Sequence, residues 1–148
     1  MKTSSTLDYA KAPRGRPFTV RLLIAAEGDA PPAAHRRPLN LSVVLDRSGS
    51  MAGEKLVRVK EATLDLARQM QPENHLSLTV FESEVDPLVP PMPTGGQLGL
   101  IEAAIDGIRP GGSTNLGGGY EQGRAFAEQH KADGSVSRIL LLTDGMEE

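Results

Sequence analysis

The chain has 148 residues, 39% of them hydrophobic, which suits one core-forming domain and excludes a wholly disordered tail. Aromatics make up only 3%, Trp is absent and there is no cysteine, so the core must be aliphatic, and disulfide frameworks and thiolate metal sites are excluded. The net charge of -3 is unevenly spread, since residues 1–38 hold seven Lys/Arg against three acids and the remainder nine against 16; without aromatic interleaving or a longer basic run, the basic arm reads as a solvated leader and no nucleic-acid partner is expected.

No stretch is long and apolar enough to cross a membrane. The opening MKTSSTLDYAKAPRGR lacks the apolar centre of a signal peptide, so with Met1 as the start the expected compartment is the cytoplasm. Residues 1–16 read as a flexible leader. In PFTVRLLIAAEG, Phe18, Val20, Leu22 and Ile24 alternate with Thr19, Arg21 and Leu23, the pattern of a half-buried strand. The Pro- and Ala-rich GDAPPAAHRRP reads as a linker. The expected division is a leader with one extra strand and a linker over 1–38, then a main domain over 39–148.

Leu41 to Leu45 (LSVVL) suits a strand buried on both faces. A helix follows from Glu54 to Met70, with Leu56, Val59, Thr63, Leu66, Ala67 and Met70 on one face and Pro72 just past its end. Leu76 to Phe81 is a second buried strand. Val85 to Val89 is a third, demoted to an edge by Pro87. Leu98 to Ile108 is a helix with Ile101, Ala104, Ile105 and Ile108 on one side. Leu116, Tyr120, Gly123 and Ala127 mark the inner face of a third helix, and Arg138 to Thr143 is another buried strand. This alternation predicts an α/β fold of Rossmann-like type, three layers α/β/α, with a mainly parallel sheet and one antiparallel edge strand. In such folds the chemistry gathers at the carboxyl ends of the central strands.

Two buried strands end in an aspartate there: LSVVLDRSGSM at Asp46 and RILLLTDG at Asp144. Alternate residues of an extended segment point the same way, so Asp46, Ser48 and Ser50 can aim one carboxylate and two hydroxyls at a common point. Asp144 adds a second carboxylate across the crevice, and Thr114, in RPGGSTNLGGGY, a third hydroxyl from above. Hard oxygen donors of this kind suit Mg²⁺ or Mn²⁺, with Ca²⁺ the poorer fit. Two carboxylates and three hydroxyls balance a divalent charge and leave one position to bind a partner's Glu or Asp.

Taken alone, Asp46 reads as a helix cap and Thr114 as a loop residue; the combination is what argues for a metal. Asn115 reads as a turn residue, and Arg47 as pointing away from the metal. No lysine follows the glycines as a P-loop requires, and RSGSM lacks the first glycine of a nucleophile elbow. His35, His75 and His130 are scattered without zinc spacing. A Mg²⁺-dependent phosphate-ester hydrolase is the alternative use of the same oxygen site, but no general base or cationic phosphate clamp is evident, and no enzyme activity is expected.

The trio LDRSGSM, GGSTNLGGG and LLTDG, in that order and spacing, resembles the metal-ion-dependent adhesion site of von Willebrand factor type A domains. The GEKLVRVKEA helix is similar to that of bacterial members. The resemblance covers about Leu39 to Glu148. It implies that Ser48, Ser50 and Thr114 touch the metal directly when ligand is bound, and that Asp46 and Asp144 act mainly through bridging waters. It also implies a protein-binding role in adhesion, in complex assembly, or beside a MoxR-type AAA+ ATPase. Domains of this type continue past the second aspartate, whereas this sequence stops four residues after Asp144. The expectation is therefore a fragment missing its C-terminal part, with an exposed edge at the LLLT strand and with Glu147 and Glu148 close in sequence to the site.

Overall fold

The computed structural model describes residues 2–7, 22–27, 37–129 and 134–145. The chain divides into two compact units, Met1–Arg36 and Arg37–Glu148. In the first, β1 (Lys2–Leu7) pairs antiparallel with β2 (Leu22–Glu27), from Lys2 opposite Glu27 to Leu7 opposite Leu22. β1 falls where the sequence reads as a flexible leader. KTSSTL has one apolar residue and so no alternation to detect, but Thr tolerates extended backbone and the ladder with β2 satisfies its peptide groups. Phe18, Val20 and Arg21 of the expected strand, the linker over 28–36 with His35, and His130, Glu147 and Glu148 lie outside the described residues.

The second unit is built on a four-stranded sheet in the order β5-β4-β3-β6. Strands β3 (Leu39–Asp46), β4 (His75–Phe81) and β6 (Val136–Leu142) are parallel, and β5 (Val85–Pro93) runs antiparallel along β4. Pro87, Pro90, Pro91 and Pro93 cannot donate to a ladder, which confines β5 to the edge, and its register with β4 slips around Leu78. The expected mainly parallel sheet with one antiparallel edge strand is thus the observed one.

Alternation along the strands sends the two faces of the sheet to different helices. On one face, Leu41, Val43 and Leu45 of β3 and Leu76, Leu78 and Val80 of β4 form the main core. Leu56 and Ala67 of α1 (Glu54–Gln69) join it, as do Ile101 and Ile105 of α2 (Leu98–Gly107) and the adjoining Ile108. The apolar positions read from periodicity are the buried or half-buried ones in both helices. The other face carries Asn40, Ser42, Val44 and Asp46 of β3 with Ser77, Thr79 and Phe81 of β4, all buried. Against it lies α3 (Leu116–Gln129).

Two expectations need correction. The inner face of α3 is Gly119, Gly123, Phe126 and Ala127, whereas Tyr120 is 45% exposed. The sequence reading followed the aromatic residue, but close approach to the sheet decides the face. A Cβ on Gly119 would strike the Phe81 ring, and one on Gly123 would strike Val44, so only glycine lets the helix backbone reach the strands there. In addition, β6 is half-buried rather than buried, because within the described residues it pairs only with β3 at the sheet's end.

Gly123→Ala is expected to destabilise the fold by about 1–3 kcal/mol through overpacking. Gly117→Ala, on the same helix with open space around it, should be neutral or stabilising by up to about 1 kcal/mol. Urea unfolding of the two variants beside the parent checks both.

Candidate metal centre

The chain leaves β3 to build β4 and β5 on one side, then crosses through α3 to place β6 on the other side of β3. The carboxyl ends of β3 and β6 therefore flank a topological switch point, where an open α/β sheet forms a crevice. Leu45 is the register partner of Leu142, so the next residues, Asp46 and Thr143, also lie alongside each other.

Asp46 is fully buried. Its Oδ1 accepts the Ser48 backbone N–H at 2.8 Å and its Oδ2 accepts the Thr143 hydroxyl at 2.7 Å. The Ser48 and Ser50 hydroxyls are 3.2 Å apart, and the Ser50 hydroxyl donates to Asp144 Oδ1 at 3.3 Å. Four of the five expected residues thus belong to one hydrogen-bonded chain running from the end of β3 to the end of β6. The ammonium of Lys55, in the first turn of α1, donates to Asp144 Oδ2 at 2.6 Å and to the Ser50 carbonyl at 3.1 Å.

The loop that carries Thr114 is anchored to the turn after β3 and to the end of β4. Gly49 N–H donates to the Gly112 carbonyl at 2.8 Å, and Gly111 N–H to the Arg47 carbonyl at 2.7 Å, which ties the glycine-rich loop to the Asp46–Ser50 turn. Downstream, Asn115 N–H donates to the Glu82 carbonyl at 2.6 Å, while the Asn115 side chain accepts Gly118 N–H at 3.0 Å and caps α3. Thr114, half-buried, sits between these two anchors.

Glu82, just past β4, fastens the same loop. Its Oε2 accepts the N–H groups of Ser83 at 2.9 Å and Gly112 at 2.8 Å, and its Oε1 lies 3.6 Å from Arg47. The backbone N–H of Ser83, then that of Gly112, and more weakly the Arg47 charge, hold the Glu82 carboxyl below the usual carboxylate range. The Ser83 hydroxyl in turn accepts the Ser113 N–H at 3.1 Å.

The donor set fits a hard divalent cation. Asp46, Ser48, Ser50, Thr114 and Asp144 offer oxygen alone, in carboxylate and hydroxyl form, and a cationic ammonium is already drawn to the Asp144 carboxylate. Among the described residues no three His, Cys, Asp or Glu side chains cluster as metal ligands, so hydroxyls would have to complete any coordination at this crevice.

Sequence reasoning missed Thr143, Glu82, Ser83 and Lys55. Parallel register could have revealed Thr143, because a residue just past the end of one strand must meet the end of its neighbour. Glu82 and Ser83 act through a loop 30 residues away, and Lys55 through a partner 89 residues away; no local spacing encodes either.

Residues 41–147 match the von Willebrand factor type A domain family, and the chain belongs to it. It is 35% identical over 129 residues to an uncharacterised protein of Synechocystis, covering 87% of this chain and 30% of that protein. It is 33% identical over 115 residues to human inter-alpha-trypsin inhibitor heavy chain H3, covering 73% of this chain and 13% of the relative. The chain therefore spans less than a third of either relative. Among solved structures, the pilus adhesin SpaC of Lactobacillus rhamnosus GG superposes with a TM-score of 0.67 at 22% identity, over 86% of this chain and 17% of the adhesin. At that identity the likeness concerns the fold.

Thr143→Val is expected to cost about 1–3 kcal/mol, because it leaves a buried carboxylate oxygen without its donor; chemical denaturation measures it. For Glu82, the folded-state value lies below the unfolded one. Its stabilising contribution is therefore present at pH above the unfolded value and is lost as pH falls through the lowered folded value. Glu82→Gln should flatten the stability profile across that acidic range, as read by urea midpoints from neutral pH downward.

Proposed function

We propose that this domain is a divalent-cation-dependent protein-binding module that captures a Glu or Asp side chain of a partner protein. The observation that carries the reading is the hydrogen-bonded chain Asp46–Ser48–Ser50–Asp144 at the sheet's crevice, with the Thr114 loop fastened beside it. Membership of the von Willebrand factor type A family supports a protein-interaction role, and the adhesin among the structural neighbours shows the same fold used in a pilus protein.

Ser48, Ser50 and Thr114 would hold Mg²⁺ or Mn²⁺ directly, and Asp46 and Asp144 through water. The bound ion supplies a Lewis-acid position for an incoming carboxylate. The protein's own contribution is orientation. Asp46 is held by the Ser48 N–H and the Thr143 hydroxyl, so it stays aligned with the crevice without a protein cation of its own. Glu82, by accepting the Gly112 N–H, would steady the loop from which Thr114 reaches the ion. A MoxR-type AAA+ ATPase system is one source of such an acidic partner in this reading.

Isothermal titration with Mn²⁺ should show one site, abolished by EDTA and lost in Asp46→Ala. A Glu-containing peptide should perturb the electron paramagnetic resonance spectrum of the bound Mn²⁺. Thr114→Ala should weaken that peptide's effect by about 10–100-fold. Peptide binding that persists unchanged in excess chelator defeats the proposal, and metal-dependent hydrolysis of a generic phosphate ester would favour the hydrolase instead.

A further inference from the structure

Lys55 is at an electrostatically awkward place. It lies in the first turn of α1, where the partial positive charge of the helix N-terminus disfavours a cation. The helix start has no side-chain cap, being preceded by Gly53 at φ 80°. Side chains of a helix lean toward its N-terminus, and that of Lys55 turns back to the Ser50 carbonyl and the Asp144 carboxylate. It thus reaches across from α1 to the end of β6 and grips two residues of the oxygen cluster at once. Asp144 is largely buried at 14% exposure, whereas the Lys55 side chain is 52% exposed. The carboxylate is the enclosed partner and the ammonium is the one that faces water.

Resting on the metal site proposed above, we propose that Lys55 is a tethered competitor of the divalent cation. Its ammonium neutralises Asp144 when no metal is bound, and its like charge opposes metal entry. The two carboxylates of the site repel each other, and one positive charge between Asp144 and the Ser50 carbonyl relieves that repulsion. A divalent cation held on the Ser50 hydroxyl, and on Asp144 through water, would sit beside residues that the ammonium already engages and meet a like charge there. The two cations therefore compete for the negative charge of Asp144. Lys55 lowers metal affinity and in exchange stabilises the metal-free crevice. Since one end of the pair is half-exposed, salt screens part of the effect.

The test compares Mn²⁺ affinity of the full chain with that of Lys55→Met, Lys55→Arg and Lys60→Met, each melted in EDTA and in Mn²⁺. Lys60 lies on the same helix and bonds the Asp106 carbonyl away from the site, so its variant removes the same charge without touching the crevice. Lys55→Met is expected to bind Mn²⁺ about tenfold more tightly, matching the loss of one hydrogen bond to a charged group. It should melt below the parent in EDTA and gain more from Mn²⁺. Lys55→Arg, which keeps the charge and folds by the same contacts, and Lys60→Met should stay near the parent affinity. Parent and Lys55→Met binding Mn²⁺ equally, or the variant binding more weakly, overturns the competitor role and leaves the metal site intact. Equal tightening in Lys60→Met also overturns it, as a net-charge effect. Absence of Mn²⁺ binding in the parent and every variant instead removes the metal site itself, and Lys55's role with it.

Discussion

Placing the Asp46 carboxylate at the end of a central strand, wholly out of water, is a demand that the neighbouring structure has to meet. A buried charge without partners is costly by several kcal/mol, and here both of its oxygens are satisfied by neutral donors, the Ser48 N–H and the Thr143 hydroxyl. Each donor fixes part of the fold. The first forces the chain to turn immediately after β3 into the short 3₁₀ turn Gly49–Met51. The second requires β6 to lie parallel to β3 in one register, with Leu142 opposite Leu45. A slip of one residue would turn Thr143 to the wrong face and leave a carboxylate oxygen stranded.

From that constraint the crevice assembles outward. The turn that serves Asp46 also presents the Ser48 and Ser50 hydroxyls, and Ser50 reaches the second carboxylate, Asp144. Backbone hydrogen bonds from Gly111 to the Arg47 carbonyl and from Gly49 to the Gly112 carbonyl, reinforced by Glu82, fasten the loop that carries Thr114 to the same turn. The charge at the mouth is thus divided between a carboxylate held by neutral dipoles and one held by the half-exposed ammonium of Lys55.

The layout of the main domain was legible in the sequence because its core is periodic. Leu41 to Leu45 and Leu76 to Phe81 are apolar runs of strand length, and α1 and α2 carry their buried residues at helical steps. The aspartates at strand ends were legible because the fold's topology dictates where ligands bind. Three things resisted reading. β1 has no apolar pattern of its own and exists through its pairing with β2. The inner face of α3 is set by backbone contact rather than by hydrophobicity, so Tyr120 misled and Gly119 was overlooked. Of the groups that tune the crevice, Lys55 and Glu82 meet their partners across 89 and 30 residues, where sequence spacing carries no information, whereas Thr143 follows from the parallel register of β3 and β6.

The glycine face of α3 also bears on how the mouth of the crevice can move. With Gly119 pressed on Phe81 and Gly123 on Val44, the first turns of this helix have no side-chain cushion on which to roll or slide. The helix is an anvil, and the segment ahead of it is the spring. Any displacement of Thr114 must be absorbed in the torsions of residues 111–115, between the capped start of α3 and the bonds to Arg47 and Gly49. The loop over the turn is thus pinned from both sides, by a helix pressed on the sheet behind it and by Arg47, Gly49, Glu82 and Ser83 around it.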